Sequence, residues 1–285
     1  ALRAANPDAT LLAGGTDIGL WLTKQLRTLG DVIYLGHVAE LAAVAFGRDT
    51  VEIGAAVTLE QAYNAMGRIY PAELAVLQHR FACLPIRSAG TLGGNLANGS
   101  PIGDSMPWLI VLRAQIVVQS LRGKRVMPLE DFYLGYRQQA LLGDEVVVAV
   151  RVPTPRAAPV WRTYKVARRF DQDISAICAA FAIVLENGVV RSARIAFGGM
   201  AATPQRAQAT EQALLHQPWN ATSVRQAMAT LTQDYAPLSD LRASASYRMR
   251  VAQNLLWRFW LELSGGDAAL DRQVDVFAHL GAVST

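Results

Sequence analysis

The sequence predicts an α+β protein, with a first half of two α/β lobes and a C-terminal α+β domain of three strands and about three helices. Three observations carry this prediction. Short apolar runs alternate with period two, longer ones recur every three to four residues, and the two patterns follow one another as far as Val152. After the proline cluster Pro153, Pro155 and Pro159 the order changes to strands first and helices afterwards. A boundary at that cluster divides the chain into 1–155, with lobes of about 1–54 and 55–155, and 156–285.

Each element has a local reason. Leu11-Leu12-Ala13 is a short apolar strand that breaks at Gly14-Gly15 and passes into a helix. In that helix Ile18, Trp21, Leu22 and Leu26 form a buried stripe at helical spacing, leaving Lys24 and Arg27 to solvent. Asp31 to Leu35 reads as a buried strand, and Val51, Ile53 and Ala55 alternate as a half-buried one. Thr58-x-x-Gln61 is a capping box that opens a helix through about Met66, and Pro71 suits the first turn of a helix through Phe81. Gly90-Thr91-Leu92-Gly93-Gly94-Asn95 repeats the strand, turn and helix arrangement of the first glycine pair. A short helix over 104–113 follows, apolar on the side of Trp108, Leu109 and Leu112.

Strands at 115–121 and 124–129 join at Arg122-Gly123, and the valine-rich run from Glu145 to Val152 suits a strand covered on both faces. Beyond the prolines, strands are expected at 160–166, 174–186 and 189–197. The last two are joined by Asn187-Gly188, the strongest short hairpin signal. Helical patterns close the chain at 205–215, 221–232 and 243–263, the last carrying Leu255, Leu256, Phe259, Trp260 and Leu263.

Composition excludes several classes. With 285 residues, 52% of them hydrophobic, the chain can bury a large core. The net charge of +4 is spread over scattered Lys and Arg, which argues against nucleic acid as a partner. Cys83 and Cys178 are the only thiols and lie far apart, and the 4 His occur singly, so no metal site is expected on this chain. No apolar run approaches the roughly 18 residues that span a bilayer, so no membrane partner is expected and the cytoplasm is the default location. The chain opens on Ala1 rather than Met, in what reads as the end of a helix, and is expected to be a piece of something longer.

The two glycine loops carry the chemistry. Gly14 and Gly15 lack Cβ, so the backbone can adopt positive φ and approach a ligand, while Thr16 or Asp17 caps the helix. Amides converging on a helix start form an anion site. Two such loops, the second followed by Asn98-Gly99-Ser100-Pro101, can clasp one diphosphate from opposite sides. Taken singly, each is more often just an ordinary turn, and the pair carries more than either alone. Neither fits G-x-G-x-x-G or the Walker pattern, which sets aside the Rossmann and P-loop phosphate sites.

With Ile86-Arg87-Ser88-Ala89 before the second loop and Ser100-Pro101-Ile102-Gly103-Asp104 after it, the chain resembles the FAD domain of the molybdenum hydroxylases. Asp131-Phe132-Tyr133, Leu141-Leu142, Glu145 and its strand, Lys165, Arg168-Arg169 and Asp173-Ile174 resemble the xanthine dehydrogenase branch. Gly198-Gly199-Met200 resembles its C-terminal lobe. The resemblance implies a PCMH-type FAD domain, not a Rossmann fold, followed by a domain of the CO dehydrogenase flavoprotein type.

The resemblance also implies a role for each matched residue. Leu11, Leu12, Ala13, Gly14, Gly15, Thr16, Asp17 and Ile18 line the first diphosphate loop. Thr91, Leu92, Gly93, Gly94 and Asn95 line the second, with Asn98 and Ser100 close by. Phe81 and Val147 are apolar walls, and Asp104 bonds a polar part of the cofactor. Lys165 reaches the N1–C2=O edge of the flavin, where positive charge tunes the ring. Tyr136 and Asp173 are candidates for the acceptor site. The competing plain readings are core for Phe81 and Val147, a helix N-cap for Asp104, and surface for Lys165 and Tyr136. Neither loop carries a Cys or His that could bind flavin covalently.

The implied function is electron transfer from iron–sulfur clusters through FAD to NAD during oxidation of hypoxanthine or xanthine to urate. Molybdopterin and [2Fe-2S] clusters then belong to other domains or chains. The partners are a molybdenum-cofactor subunit and an upstream iron–sulfur domain or subunit, in a hetero-oligomer. Alternatives are the flavoprotein subunit of a CO dehydrogenase, nicotinate hydroxylase or aryl-CoA reductase, or a non-catalytic docking module. Asp171-Gln172-Asp173 stands where vertebrate relatives carry adjacent acidic residues before the Asp-Ile dipeptide, which leaves NAD and oxygen both open as acceptor.

Overall fold

The computed structural model describes residues 1–154, 159–170 and 172–264. Pro155, Asp171 and the stretches 156–158 and 265–285 of the expected second domain lie outside them. The chain opens with α1 (Leu2–Ala5), β1 (Thr10–Leu12), α2 (Ile18–Thr23) and β2 (Val32–Tyr34). β1 and β2 pair in parallel, Leu11 opposite Ile33, the one parallel pairing among the described residues. This lobe is thin. α2 buries no residue, and Leu22, Leu26 and Val32 are exposed, so neither the buried stripe nor the buried strand at 31–35 forms. The reason is geometric: a two-stranded sheet offers little surface to pack on, and α2 stops at Thr23, with Leu26 already at φ 52°.

The second lobe holds β3 (Val44–Phe46), β4 (Thr50–Gly54), α3 (Leu59–Gly67), α4 (Pro71–Arg80), α5 (Leu84–Ala89), α6 (Leu92–Asn98) and α7 (Ser105–Val111). It continues with β5 (Gln115–Ser120), β6 (Gly123–Pro128), β7 (Tyr133–Gly135), β8 (Gln138–Gln139) and β9 (Val146–Pro153). Five strands form an antiparallel sheet in the order β3-β4-β9-β5-β6. β4 pairs with β9, Ile53 opposite Val150, so 44–54 join this sheet and not β1 and β2; the first lobe, expected to end near 54, gives its last strands to the second. The capping box forms as expected, with the Gln61 amide on Thr58 Oγ1 and the Thr58 amide on Gln61 Oε1, both 3.2 Å. The strand expected before the second glycine turn is instead α5, which Pro85 helps to start. Tyr63, Leu92, Trp108 and Phe132 are fully buried in the core of this lobe.

The C-terminal part contains β10 (Val160–Val166), β11 (Ile177–Glu186), β12 (Val189–Gly198), β13 (Gln205–Arg206), α8 (Gln208–Leu214), α9 (Ala221–Asp234) and α10 (Ala245–Ser264). The antiparallel sheet runs β10-β11-β12-β13. Asn187 and Gly188 both have positive φ, as a tight hairpin requires. β13 is an addition to the three expected strands: the chain turns at Gly199 (φ 87°) and Gln205 returns to pair with Phe197.

The alternation along β11 explains why it reads as one apolar run. Ile177, Ala179, Phe181 and Ile183 face the three helices, while Cys178, Ala180 and Ala182 face the core of the first part. Small residues on the latter side let α7 approach the sheet closely. Arg194, buried on β12, ties the halves further, donating to the Ile110 carbonyl (2.7 Å) and to Glu130 Oε1 (2.5 Å). Among the described residues no helix is long and apolar enough to cross a membrane.

Candidate functional site

The glycine loops meet. A Cβ on Gly14 would fall on the Ala89 carbonyl oxygen and within 2.7 Å of Gly90 Cα, so the first loop can lie on the second only with glycine there. Gly15, at φ 73°, turns the chain into α2. The loops border a cleft of about 210 Å3. Leu11, Ala13, Gly14, Gly15, Thr16, Asp17 and Ile18 line it from one side and Thr91, Gly93, Gly94 and Asn98 from the other, with Val147 on its apolar wall. Trp21, Leu41, Ala55, Ala56 and Leu141 also line it and were not foreseen.

The loops are chemically unequal, which corrects the expectation of two equivalent amide cradles. In the first, the amides of Gly14, Gly15, Thr16 and Asp17 meet no acceptor among the described residues and are free for an anion. In the second, every amide from Leu92 to Asn95 is already committed. Leu92 bonds Val57 O (2.9 Å), Gly93 bonds Ala55 O (3.0 Å), Gly94 bonds Thr91 Oγ1 (3.1 Å) and Asn95 bonds Thr91 O (2.9 Å). Gly93 lacks a side chain because a Cβ would lie 2.5 Å from that of Ala55; its reason is packing on the sheet and not approach to a ligand. Leu92 is fully buried core, and Leu12 sits half-buried in β1 away from the cleft lining. Asn95 keeps a buried Oδ1 with no partner among the described residues.

A second, more polar cleft of about 170 Å3 adjoins the first, sharing Asp17, Trp21 and Asn98 and adding Gln25, Ser100, Tyr136 and Arg137. Tyr136 stands at its rim, 56% exposed, with the Arg137 guanidinium 5.4 Å from its ring centre. Burial pushes the Asp17 carboxyl up from its ordinary value, against the pull of Arg137. Arg137 was missed, although it follows Tyr136 directly and takes a left-handed backbone (φ 56°).

Asp104, Lys165 and Phe81 line neither cleft and belong to a buried cluster beside α7. Asp104 occupies the N-cap position of α7 without capping it; its carboxylate turns inward to the Lys165 ammonium and to the Ser175 hydroxyl (2.5 Å). The three residues are 3%, 7% and 1% exposed, which sets aside the surface reading of Lys165. The Cys178 thiol lies 3.7 Å from the Asp104 carbonyl, and burial pushes it well up. The Phe81 ring packs 5.6 Å from that of Tyr63, whose hydroxyl accepts from Trp108 Nε1 (3.1 Å) and lies 3.4 Å from Ser105 Oγ. Asp173 is bound to Arg169 through that residue's amide (3.0 Å) and guanidinium (3.1 Å), which hold its carboxyl below the ordinary value.

Free amides on a helix-starting turn, beside an apolar wall and a polar annex, suit the diphosphate of a dinucleotide. Comparison with known proteins agrees. Residues 1–155 match the FAD binding domain in molybdopterin dehydrogenase, and 162–263 match the CO dehydrogenase flavoprotein C-terminal domain. The chain is 33% identical over 258 residues to the xanthine dehydrogenase FAD-binding subunit of Escherichia coli O157:H7, covering 89% of this chain and 88% of that one. It is 27% identical to xanthine dehydrogenase 1 of Arabidopsis thaliana, over 99% of this chain but 22% of that longer protein. Among solved structures, quinoline 2-oxidoreductase from Pseudomonas putida 86 superposes with a TM-score of 0.82 at 26% identity, covering 93% and 92% of the two chains. Carbon monoxide dehydrogenase from Hydrogenophaga pseudoflava superposes at 0.84 and 28%, covering 90% of each.

Proposed function

The chain belongs to the FAD-binding family of the molybdopterin dehydrogenases, and from that premise we propose that it holds FAD across the two clefts as the electron-transfer flavoprotein of a xanthine dehydrogenase-like molybdenum hydroxylase. The observation that carries the reading is the open row of first-loop amides packed directly on the second loop. FAD, when bound, supplies two-electron chemistry at an isoalloxazine whose reduced form carries negative charge at its N1–C2=O edge. In this assignment the Gly14 to Asp17 amides hold the diphosphate, and Thr91 and Gly94 close the cleft from the other side. Ala55, Ala56 and Val147 exclude water along the apolar wall. Asn98 and Ser100 would hold the cofactor on the polar side, and Lys165 and Phe81, which line neither cleft, would meet the flavin ring as hydrogen-bond donor and apolar wall where it reaches the Asp104–Lys165 cluster. Tyr136 and Asp173 flank the approach of the acceptor.

The finer function proposed is the one the resemblance to the xanthine dehydrogenase branch implies: electrons arriving from [2Fe-2S] clusters on an iron–sulfur partner, a molybdopterin subunit oxidising hypoxanthine or xanthine, and NAD as acceptor, in a cytoplasmic hetero-oligomer. The test is direct. The purified chain should take up one FAD and show visible flavin absorption, and the complex with its molybdenum and iron–sulfur partners should form NADH from xanthine. A colourless chain that refuses FAD supports a docking module instead. A flavin-loaded complex that oxidises another heterocycle or CO moves the assignment to a different branch.

A further inference from the structure

The Asp104–Lys165 pair, taken as a unit, carries no net charge, and both carboxylate oxygens of Asp104 are engaged, one by Lys165 and one by Ser175. Such a pair can orient a hydrogen-bond donor, but its field falls off as a dipole and not as a charge. The positive charge of the cluster comes from elsewhere. Arg80, at the end of α4, donates to the Lys165 carbonyl (2.6 Å) and to the Phe170 carbonyl (2.8 Å), and its guanidinium lies 5.1 Å from the Phe170 ring. Both hydrogen-bond acceptors are neutral carbonyls, and no carboxylate pairs with Arg80 among the described residues. It is half-buried; burial disfavours its charge while Asp104 favours it. Arg80 also precedes Phe81, the proposed flavin wall, so the backbone that places the wall places the cation.

We propose that Arg80, which pairs with no carboxylate among the described residues, supplies the positive charge that stabilises the reduced cofactor, and that Lys165, neutralised by an Asp104 carboxylate whose other oxygen Ser175 holds, serves as a positioned hydrogen-bond donor. This rests on the reading that the flavin lies against the Lys165 cluster. Removing a half-buried unit charge next to a ring that becomes anionic weakens binding of the reduced form relative to the oxidised form.

The experiment is a spectroelectrochemical titration of the FAD-loaded complex, with FAD affinity measured alongside. Arg80→Gln should lower the preference for reduced over oxidised FAD about tenfold, about 30 mV for a two-electron couple. Arg80→Lys should restore most of it. Should Arg80→Gln not fold, Arg80→His read against the parent from pH 5.5 to 8.5 varies the charge in one fold, and the deficit should grow as the imidazole, ordinarily with pKa about 6.5, loses its proton. A potential unchanged in Arg80→Gln, or in Arg80→His across that range, while Lys165→Met lowers it, overturns the assignment to Arg80 and returns the charge to Lys165. FAD bound normally with a potential indifferent to both residues overturns the underlying placement of the flavin as well.

Discussion

Gly14→Ala tests the contact on which the site depends. An added Cβ would lie on the Ala89 carbonyl oxygen, 2.7 Å from Gly90 Cα and 2.8 Å from the Ala89 carbonyl carbon, all of them backbone atoms. Backbone cannot swing aside as a side-chain tip can, so the first loop must lift off the second. Overpacking of this kind costs about 1–3 kcal/mol. For a chain of this size that lowers the Tm by about 2–4 °C per kcal/mol. Because the loops border one cleft, separating them should also weaken FAD by at least about tenfold, the equivalent of about 1.4 kcal/mol. Gly19→Ala is the control: α2 has open space around Gly19 and its φ is ordinary, so alanine there should stabilise by about 0.5–1 kcal/mol and leave FAD affinity unchanged. Equilibrium titration of the apoprotein with FAD, read by flavin fluorescence, compares the three proteins. Gly14→Ala binding FAD as tightly as the parent would refute the idea that the abutting loops make the site.

Other perturbations reach different parts of the structure. Tyr63→Phe leaves Trp108 Nε1 buried without its acceptor and should cost about 1–3 kcal/mol in a denaturant melt. Arg194→Met strips the Ile110 carbonyl of its buried donor and leaves Glu130 with Arg206 at 3.7 Å; it should cost about 1–3 kcal/mol, detected as a fall in the urea midpoint. Asp240 is exposed, and the desolvation that would raise its carboxyl is outweighed by the amides of Arg242 and Ala243 and the Arg248 guanidinium, which hold it down to about 2 from 3.8. A depressed folded-state value contributes stability above pH 3.8 that is lost as the pH falls toward 2. With the Asp240 side chain 37% exposed, solvent screening reduces that contribution to about 1 kcal/mol. Asp240→Asn should therefore be less stable than the parent at pH 6, with the gap closing near pH 2; a gap independent of pH would reject the role.

What could be read from the sequence was local. The capping box at Thr58, the Asn187-Gly188 turn and the Gly14-Gly15 turn depend on neighbours within four residues, and each sits where its pattern places it, whereas Gly93-Gly94 fall inside α6. The failures were matters of distance along the chain. Whether Ile18 to Leu26 packs as a stripe depends on what the rest of the lobe offers to cover it, and α2 has no buried residue. That the Leu92 and Gly93 amides are taken follows from the carbonyls of Val57 and Ala55, more than thirty residues upstream, where the sequence carries no mark, whereas the Gly94 and Asn95 amides are taken locally by Thr91. Lys165 looked like an alternating strand residue with even claims on solvent and core. Its burial follows from Asp104, on another element, whose own plain reading as a helix cap is replaced by that pairing.

The inequality of the two loops also suggests how the site is kept in register. The first loop rises from a lobe with two three-residue strands and a helix that buries nothing, so its own packing fixes it weakly. The second loop is bolted to the end of β4 through the Gly93 and Leu92 amides and is continuous with a core that includes Leu92, Leu96 and Trp108. Contact at Gly14 lets the weak element borrow the geometry of the strong one, while keeping its amides unpaired. Had both loops kept free amides, both would lack the internal hydrogen bonds that hold such a turn in place. A dinucleotide drawn to the first loop would then meet two soft walls and pay the ordering entropy twice. Division of labour, with one loop binding and one buttressing, explains why the second glycine pair is as sterically constrained as the first although its amides are turned to the protein.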